Sequence, residues 1–114
     1  MISTDKRTGR VRLRLTGKWL AEYGFTPDAV VVAIPDYGGM SFWLAGYDSG
    51  GYPELARYAR RHGAQLIQVK KEGRTLCLEV DGRVLAATGL GPEDILVIHR
   101  GFGVIQLRAL PPKE

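Results

Sequence analysis

The sequence predicts a mainly β protein with short helices, in which one strand–helix–hairpin unit occurs twice. The segment 13–32, LRLTGKWLAEYGFTPDAVVV, returns in altered form 65 positions later, at 78–97, as LEVDGRVLAATGLGPEDILV. Glycine, leucine, alanine, glycine and proline recur at the same offsets within the two segments. A repeat of this kind indicates the architecture before any single residue indicates the chemistry.

Length and composition are those of one compact domain. The chain has 114 residues, of which 45% are hydrophobic and 25% are charged, which suffices for one core and not for two independent ones. We therefore expect a single domain over 1–114, with a first repeat at 10–46, a connector containing a helix and a strand at 47–74, and a second repeat at 75–110.

The first repeat predicts a strand, a short helix and a hairpin in that order. Strict alternation over 10–15 places three apolar side chains on one face of a strand and three arginines on the other. Thr16 is suited to cap a helix over 18–23, which Gly24 ends in a left-handed conformation and Phe25 seals. The β-branched run 29–34, the turn 35–39 and the apolar run 40–45 then predict a hairpin.

The connector predicts a helix over 54–62, a strand over 64–69 and a basic turn over 70–73. In the second repeat, strands are expected at 75–80, 94–98 and 104–107. Asp81-Gly82 allows two interpretations: a helix start matching the first repeat, or a two-residue hairpin turn that makes 83–86 a strand. The repeat favours the helix because a hairpin does not explain the matched register of Gly89 and Pro92, but both interpretations stay open.

The first repeat resembles a known protein family. The pattern Leu13-x-Leu15-x-Gly17-Lys18-Trp19-Leu20, followed by Gly24-Phe25 and a valine strand, resembles the SymE-like toxins of type I toxin–antitoxin systems, which are related in fold to the AbrB and SpoVT regulators. The resemblance covers about a third of the chain in the first copy and a similar stretch, more weakly, in the second. Asp28 departs from it, since the family tends to have glycine there, and the long connector is not part of the minimal module.

The resemblance implies an AbrB-like swapped-hairpin β-barrel, which relatives build as homodimers. A unit of roughly 40 to 50 residues buries too little apolar surface to fold alone. Because both units lie on one chain here, we expect an intrachain pseudo-dimer whose assembly does not depend on protein concentration. The whole chain is then a monomer or a homodimer.

Charge points to a polyanionic partner. The net charge is +4 and the isoelectric point about 9.5. Segments 1–47 and 48–74 hold six basic side chains each, against four and three acidic ones, whereas 75–114 holds four basic and five acidic. We predict binding of DNA or RNA through the basic strand face and helix start, extended by a second cluster in the connector, although both sets also fit solvated surfaces. The candidate residues are Arg10, Arg12, Arg14 and Lys18 in the first copy, and Arg57, Arg60, Arg61, Lys70 and Lys71 in the connector.

No catalytic, metal or cofactor site is predicted. His62 and His99 are far apart in sequence and have no carboxylate or cysteine at ligand spacing. The alternative function of a metal-independent endoribonuclease depends on His99-Arg100, whose side chains would face opposite ways on a strand. A further alternative is a protein-interaction module that binds a cognate antitoxin or the product of a neighbouring gene. The sequence has no apolar run of membrane-spanning length, and a cytoplasmic protein is expected.

Overall fold

A computed structural model describes residues 2–4, 11–46, 57 and 59–113. The described part is mainly β, with a 3-10 helix at Lys18–Tyr23, an α-helix, α1, at Gly82–Ala86, and helical backbone at 57 and 59–61. The strands are β1 (Ile2–Thr4), β2 (Val11–Thr16), β3 (Val30–Asp36), β4 (Gly39–Gly46), β5 (Gln65–Gln68), β6 (Lys70–Glu72), β7 (Thr75–Val80), β8 (Ile95–Gly101) and β9 (Val104–Leu110).

The strands form two antiparallel sheets. The first sheet has the order β1-β2-β7-β6, and the second has the order β5-β3-β4-β9-β8. The mainly β prediction is confirmed, but the closed barrel is not formed. Within the described residues the chain passes from β5 to β6 at Val69, which joins the sheets at one corner, and no ladder joins the opposite edges β1 and β8.

The elements of the repeated segments correspond one to one. β3 begins at Val30 and β8 begins 65 positions later at Ile95, and β4 and β9 show the same offset. Corresponding strands also pair with each other: β2 pairs with β7, and β4 pairs with β9. Both ladders have a symmetric register, centred on Arg14↔Glu79 in the first and on Ser41↔Gln106 in the second.

The two short helices start differently. Asp81 is the N-cap of α1, and its side chain accepts a hydrogen bond from the backbone N–H of Arg83 at 2.8 Å. The helical interpretation of 82–86 is therefore confirmed, and the hairpin at Asp81-Gly82 is wrong. The prediction that Thr16 caps the first helix is also wrong, because Thr16 continues β2 and Gly17 occupies the N-cap position without a side-chain hydrogen bond. Gly17 has a φ of 147°, which favours glycine there.

The first helix ends as its sequence predicts. Gly24 is in the left-handed region, with a φ of 91°, and its N–H donates to the carbonyl of Ala21. The N–H of Phe25 donates to the carbonyl of Leu20 at 3.0 Å, and the Phe25 side chain is fully buried. This pattern of bonds satisfies the carbonyls of the last helical turn.

The short strand β6 was missed by the sequence analysis. The predicted basic turn at 70–73 is wrong, because Lys70–Glu72 pairs with β7 and only Gly73 and Arg74 form the turn. β1 likewise lies ahead of the predicted first repeat and pairs with β2. Each repeated unit therefore gains one further strand at its start.

The described core is one hydrophobic cluster between the sheets. It is built from the inward side chains of both sheets together with residues of the two short helices and their ends, including Leu20, Phe25, Val84 and Leu85. Phe42 is fully buried, whereas 47% of Trp43 is exposed on the outer face of the second sheet.

Candidate nucleic-acid interface

The arginines of β2 lie on the outer face of the first sheet, but they are paired with acidic side chains. Arg12 Nη1 contacts Glu79 Oε1 of β7 at 2.6 Å, and Arg14 Nη2 contacts Glu72 Oε2 of β6. The third predicted arginine, Arg10, lies outside the described residues. Two members of the predicted basic strand face are thus largely neutralised by carboxylates within the chain.

Arg14 is more deeply placed than a solvated arginine. Its guanidinium also donates to Cys77 Sγ at 3.4 Å, and its Nε atom is buried without a hydrogen-bond partner among the described residues. The hydrogen bonds to Cys77 and then to Glu72 raise the pKa of Arg14 above its ordinary value. The contacts of Arg14 therefore tie β2 to β6 and β7, and they leave little of its guanidinium for a phosphate.

Lys18 lies exposed at the start of the 3-10 helix, as its position in sequence predicts, and forms no ion pair with any described residue. Beside it, the guanidinium of Arg100 lies 4.0 Å from the centre of the Trp19 ring. Trp19 in turn packs edge-to-face on Tyr23, with ring centres 6.2 Å apart. Arg100 of the second unit therefore packs on an aromatic pair of the first unit.

Most of the cations that form no ion pair among the described residues lie in the connector. Its cations are exposed and form no ion pair within the described part of the chain. Over 59–74 the described acidic residue is Glu72, and its carboxylate is engaged by Arg14. We call this set the connector cations; it comprises the predicted Arg57, Arg60, Arg61, Lys70 and Lys71 together with Arg74, which the sequence analysis counted in the connector charge without assigning it a role.

A cleft of about 1120 Å³ opens beside these residues, along β5 and the start of α1. Its lining includes three cations, Arg12, Lys70 and Arg83, and two acidic residues, Glu79 and Asp81. Glu79 is paired with Arg12, and Asp81 is held by the helix cap. Arg83 was missed by the sequence analysis; the signal for it was its match to Lys18 in the repeat.

The described residues include no group of three histidine, cysteine or carboxylate side chains that could hold a metal ion. His99 is exposed on β8, next to Arg100. Among the described helices, none has the length and apolar character needed to cross a bilayer.

Comparison with known proteins adds no relative. The chain matches no protein-family model, and no curated protein or solved structure is significantly similar to it.

Proposed function

We propose that the protein binds nucleic acid, DNA or RNA, chiefly through the connector cations. The observation that carries the proposal is that these six exposed side chains form no ion pair among the described residues, in a segment whose described carboxylate is already engaged. Exposed guanidinium and ammonium groups can replace the counterions of a phosphate backbone. This binding would be largely independent of sequence, because phosphate contacts position a nucleic acid without reading its bases.

The cleft beside β5 gives a second reason to propose nucleic-acid binding. Lys70 belongs both to the connector cations and to the cleft lining, where Arg83 is a second cation without an ion pair among the described residues. A phosphate backbone that follows the connector cations would thus continue into a groove whose acidic wall residues are occupied. Arg12 and Arg14 then have a mainly structural role, which differs from the role expected from the alternation of β2.

We further propose that the chain is an intrachain pseudo-dimer of two units similar to those of the SymE-like and AbrB-like proteins. The matched element order, the constant offset of 65 residues and the symmetric registers of β2 with β7 and β4 with β9 support it. In this arrangement the connector binds the polyanion, and the two units together form the core. An association with toxin–antitoxin systems would follow from the same resemblance.

A salt-titrated binding assay tests the proposed function. Fluorescence anisotropy with labelled duplex DNA and with single-stranded RNA should show binding at low salt that falls steeply as salt rises. Replacing Lys70, Lys71 and Arg74 by glutamine should weaken binding and reduce the slope of log K against log salt by about one for each lost phosphate contact.

The matched control replaces Arg12 and Arg14 by glutamine. This variant removes two positive charges, against three in the connector variant, and removes them from paired side chains, so its binding should change less for each charge removed. Equal binding by wild type and the connector variant would overturn the proposed surface. Failure of the wild type to bind either polymer at low salt would overturn nucleic-acid binding itself.

A further inference from the structure

The two sheets have four edge strands, and three of them carry features that discourage pairing with another chain. β1 has three residues, β6 has three residues and carries Lys70 and Lys71, and β5 has four residues with a glutamine at each end. Short length and lysine are common protections of sheet edges. β8 has neither protection: it is seven residues long, contains no proline or lysine, and its first four residues, 95–98, are all apolar.

The corresponding strand in the first unit is covered. β3 matches β8 at the offset of 65 residues, and its outer edge pairs antiparallel with β5 from Val30↔Gln68 to Ala33↔Gln65. The second unit has no strand in this position among the described residues, so the outer edge of β8 stays unpaired there. The pairing of β3 with β5 indicates that the matching edge of β8 accepts an extended, antiparallel strand rather than a helix.

The surface next to this edge is also apolar. On the outer face of the second sheet, Ile95 is 67% exposed and its partner across the ladder, Leu110, is 54% exposed. Large apolar side chains grouped on one side of a sheet mark an interaction surface more often than a solvated one.

We propose that β8 is a dimerisation edge, which pairs antiparallel with β8 of a second copy of this chain. The pairing would join the two second sheets into one sheet of ten strands and bring the exposed Ile95 side chains toward the partner. A contact of this kind uses the same patch on both copies and therefore closes as a twofold dimer. It supplies the unpaired backbone groups of β8 with partners.

The charges near β8 select a register. With Val97 on the twofold axis, Leu96 lies opposite Ile98, and Asp94 of each copy lies opposite Arg100 of the other. Antiparallel strands gain from opposite charges at directly facing positions and lose from like charges. Because Asp94 also contacts Lys113 and Arg100 also covers Trp19, these charges determine the register more than the strength of the dimer.

Analytical ultracentrifugation over a wide dilution series tests the dimer. Wild type should sediment as a dimer that dissociates on dilution, and Val97→Lys should be monomeric, because it brings two ammonium groups together at the axis. The matched control is Val32→Lys, at the corresponding position of β3, which changes the charge equally on a strand whose two edges are both paired. This control should dimerise like the wild type.

Cross-linking tests the register without adding charge. Val97→Cys should form a disulfide-linked dimer on mild oxidation, whereas Val32→Cys should not, and the native Cys77 is buried and does not compete. Circular dichroism and urea unfolding confirm that each variant is folded. A wild type that stays monomeric at every concentration would overturn the proposal, as would a Val97→Lys variant that dimerises like Val32→Lys. Neither result depends on nucleic-acid binding.

Discussion

Gly24 shows how closely one residue can be tied to two parts of this fold. Its φ of 91° ends the 3-10 helix, and a Cβ atom at this position would lie 3.0 Å from Phe102 Cζ and 3.2 Å from Leu44 Cδ2. Gly63 also has a positive φ, of 73°, but nothing lies within 4 Å of the place where its Cβ would be. A substitution at Gly63 therefore tests backbone strain alone, whereas a substitution at Gly24 tests backbone strain and steric crowding together.

Alanine at these two positions should destabilise the protein by different amounts. Gly63→Ala should cost about 1 kcal/mol, which is the strain of a left-handed alanine. Gly24→Ala should cost about 2 to 3 kcal/mol, because overpacking against Phe102 and Leu44 adds to that strain. Urea denaturation at neutral pH measures both. Equal losses of stability at the two positions would show that the loop that holds Phe102 moves aside without cost.

The carboxylate of Asp94 should contribute to stability against acid. The backbone N–H of Gly91 donates to Asp94 Oδ2 at 2.7 Å, and together with Lys113 it holds the pKa of Asp94 below its ordinary value of 3.8. A depressed pKa contributes stability that is present above pH 3.8 and is lost as the pH falls through the folded-state value. Asp94→Asn should therefore unfold more easily at neutral pH and lose less stability on acidification than wild type.

Urea unfolding at pH 7 and at about pH 3, below the ordinary pKa of an aspartate, measures this difference. Glu22→Gln removes a charge from an exposed side chain with no ion pair among the described residues, and it serves as the control. An acid dependence that is the same in Asp94→Asn and in wild type would contradict the assigned role.

Residue-level predictions succeeded where local backbone chemistry decides the outcome. The sequence Gly24-Phe25 predicts a left-handed helix end and a sealing aromatic side chain, and both are present. Residue-level predictions failed where neighbours that are distant in sequence decide the outcome. Nothing within β2 indicates that Arg12 and Arg14 meet Glu79 and Glu72, because these carboxylates lie some 60 positions away in sequence.

Among the elements, α1 depends most on one side chain. It has five residues, too few to be stable without its neighbours, and Asp81 satisfies one of its first backbone N–H groups. Asp81→Ala should lower the free energy of unfolding by about 1 kcal/mol, and Asp81→Ser should restore most of the loss. Thermal and urea unfolding measure both variants. A serine variant as unstable as the alanine variant would indicate that the charge, rather than the cap, stabilises the helix.

Strands were predicted well where their sequence alternates or is β-branched. β7 was expected over the range that it occupies, and β3 and β4 differ from expectation by one or two residues at their ends. β6 was missed because its three residues, two lysines and a glutamate, have low strand propensity, and their pairing with β7 overrides it. A three-residue edge strand leaves no periodic signal.

At the scale of the whole molecule, neither unit should fold without the other. The ladders β2 with β7 and β4 with β9 both cross between the units, and the core cluster takes residues from each. Fragments 1–46 and 47–114 should each lack a cooperative unfolding transition and should regain native circular dichroism when mixed. A cooperative transition in either fragment alone would show that the units are independent.

The repeat made the order of the elements predictable from the sequence. Which charged side chains pair with each other was not predictable. Sequence indicates which segments are basic, but which cations stay unpaired depends on strand register. The proposed interface therefore lies on the connector rather than on the alternating arginines of β2.

Arg14 lies directly opposite Glu79 at the centre of the ladder between β2 and β7. Two identical strands crossing in this register would bring two arginines, or two glutamates, face to face, and the like charges would repel. Two units within one chain escape that restriction, because each can have a different residue at the centre. Opposite charges can therefore face each other at this central position in two covalently linked units, but not in two identical subunits.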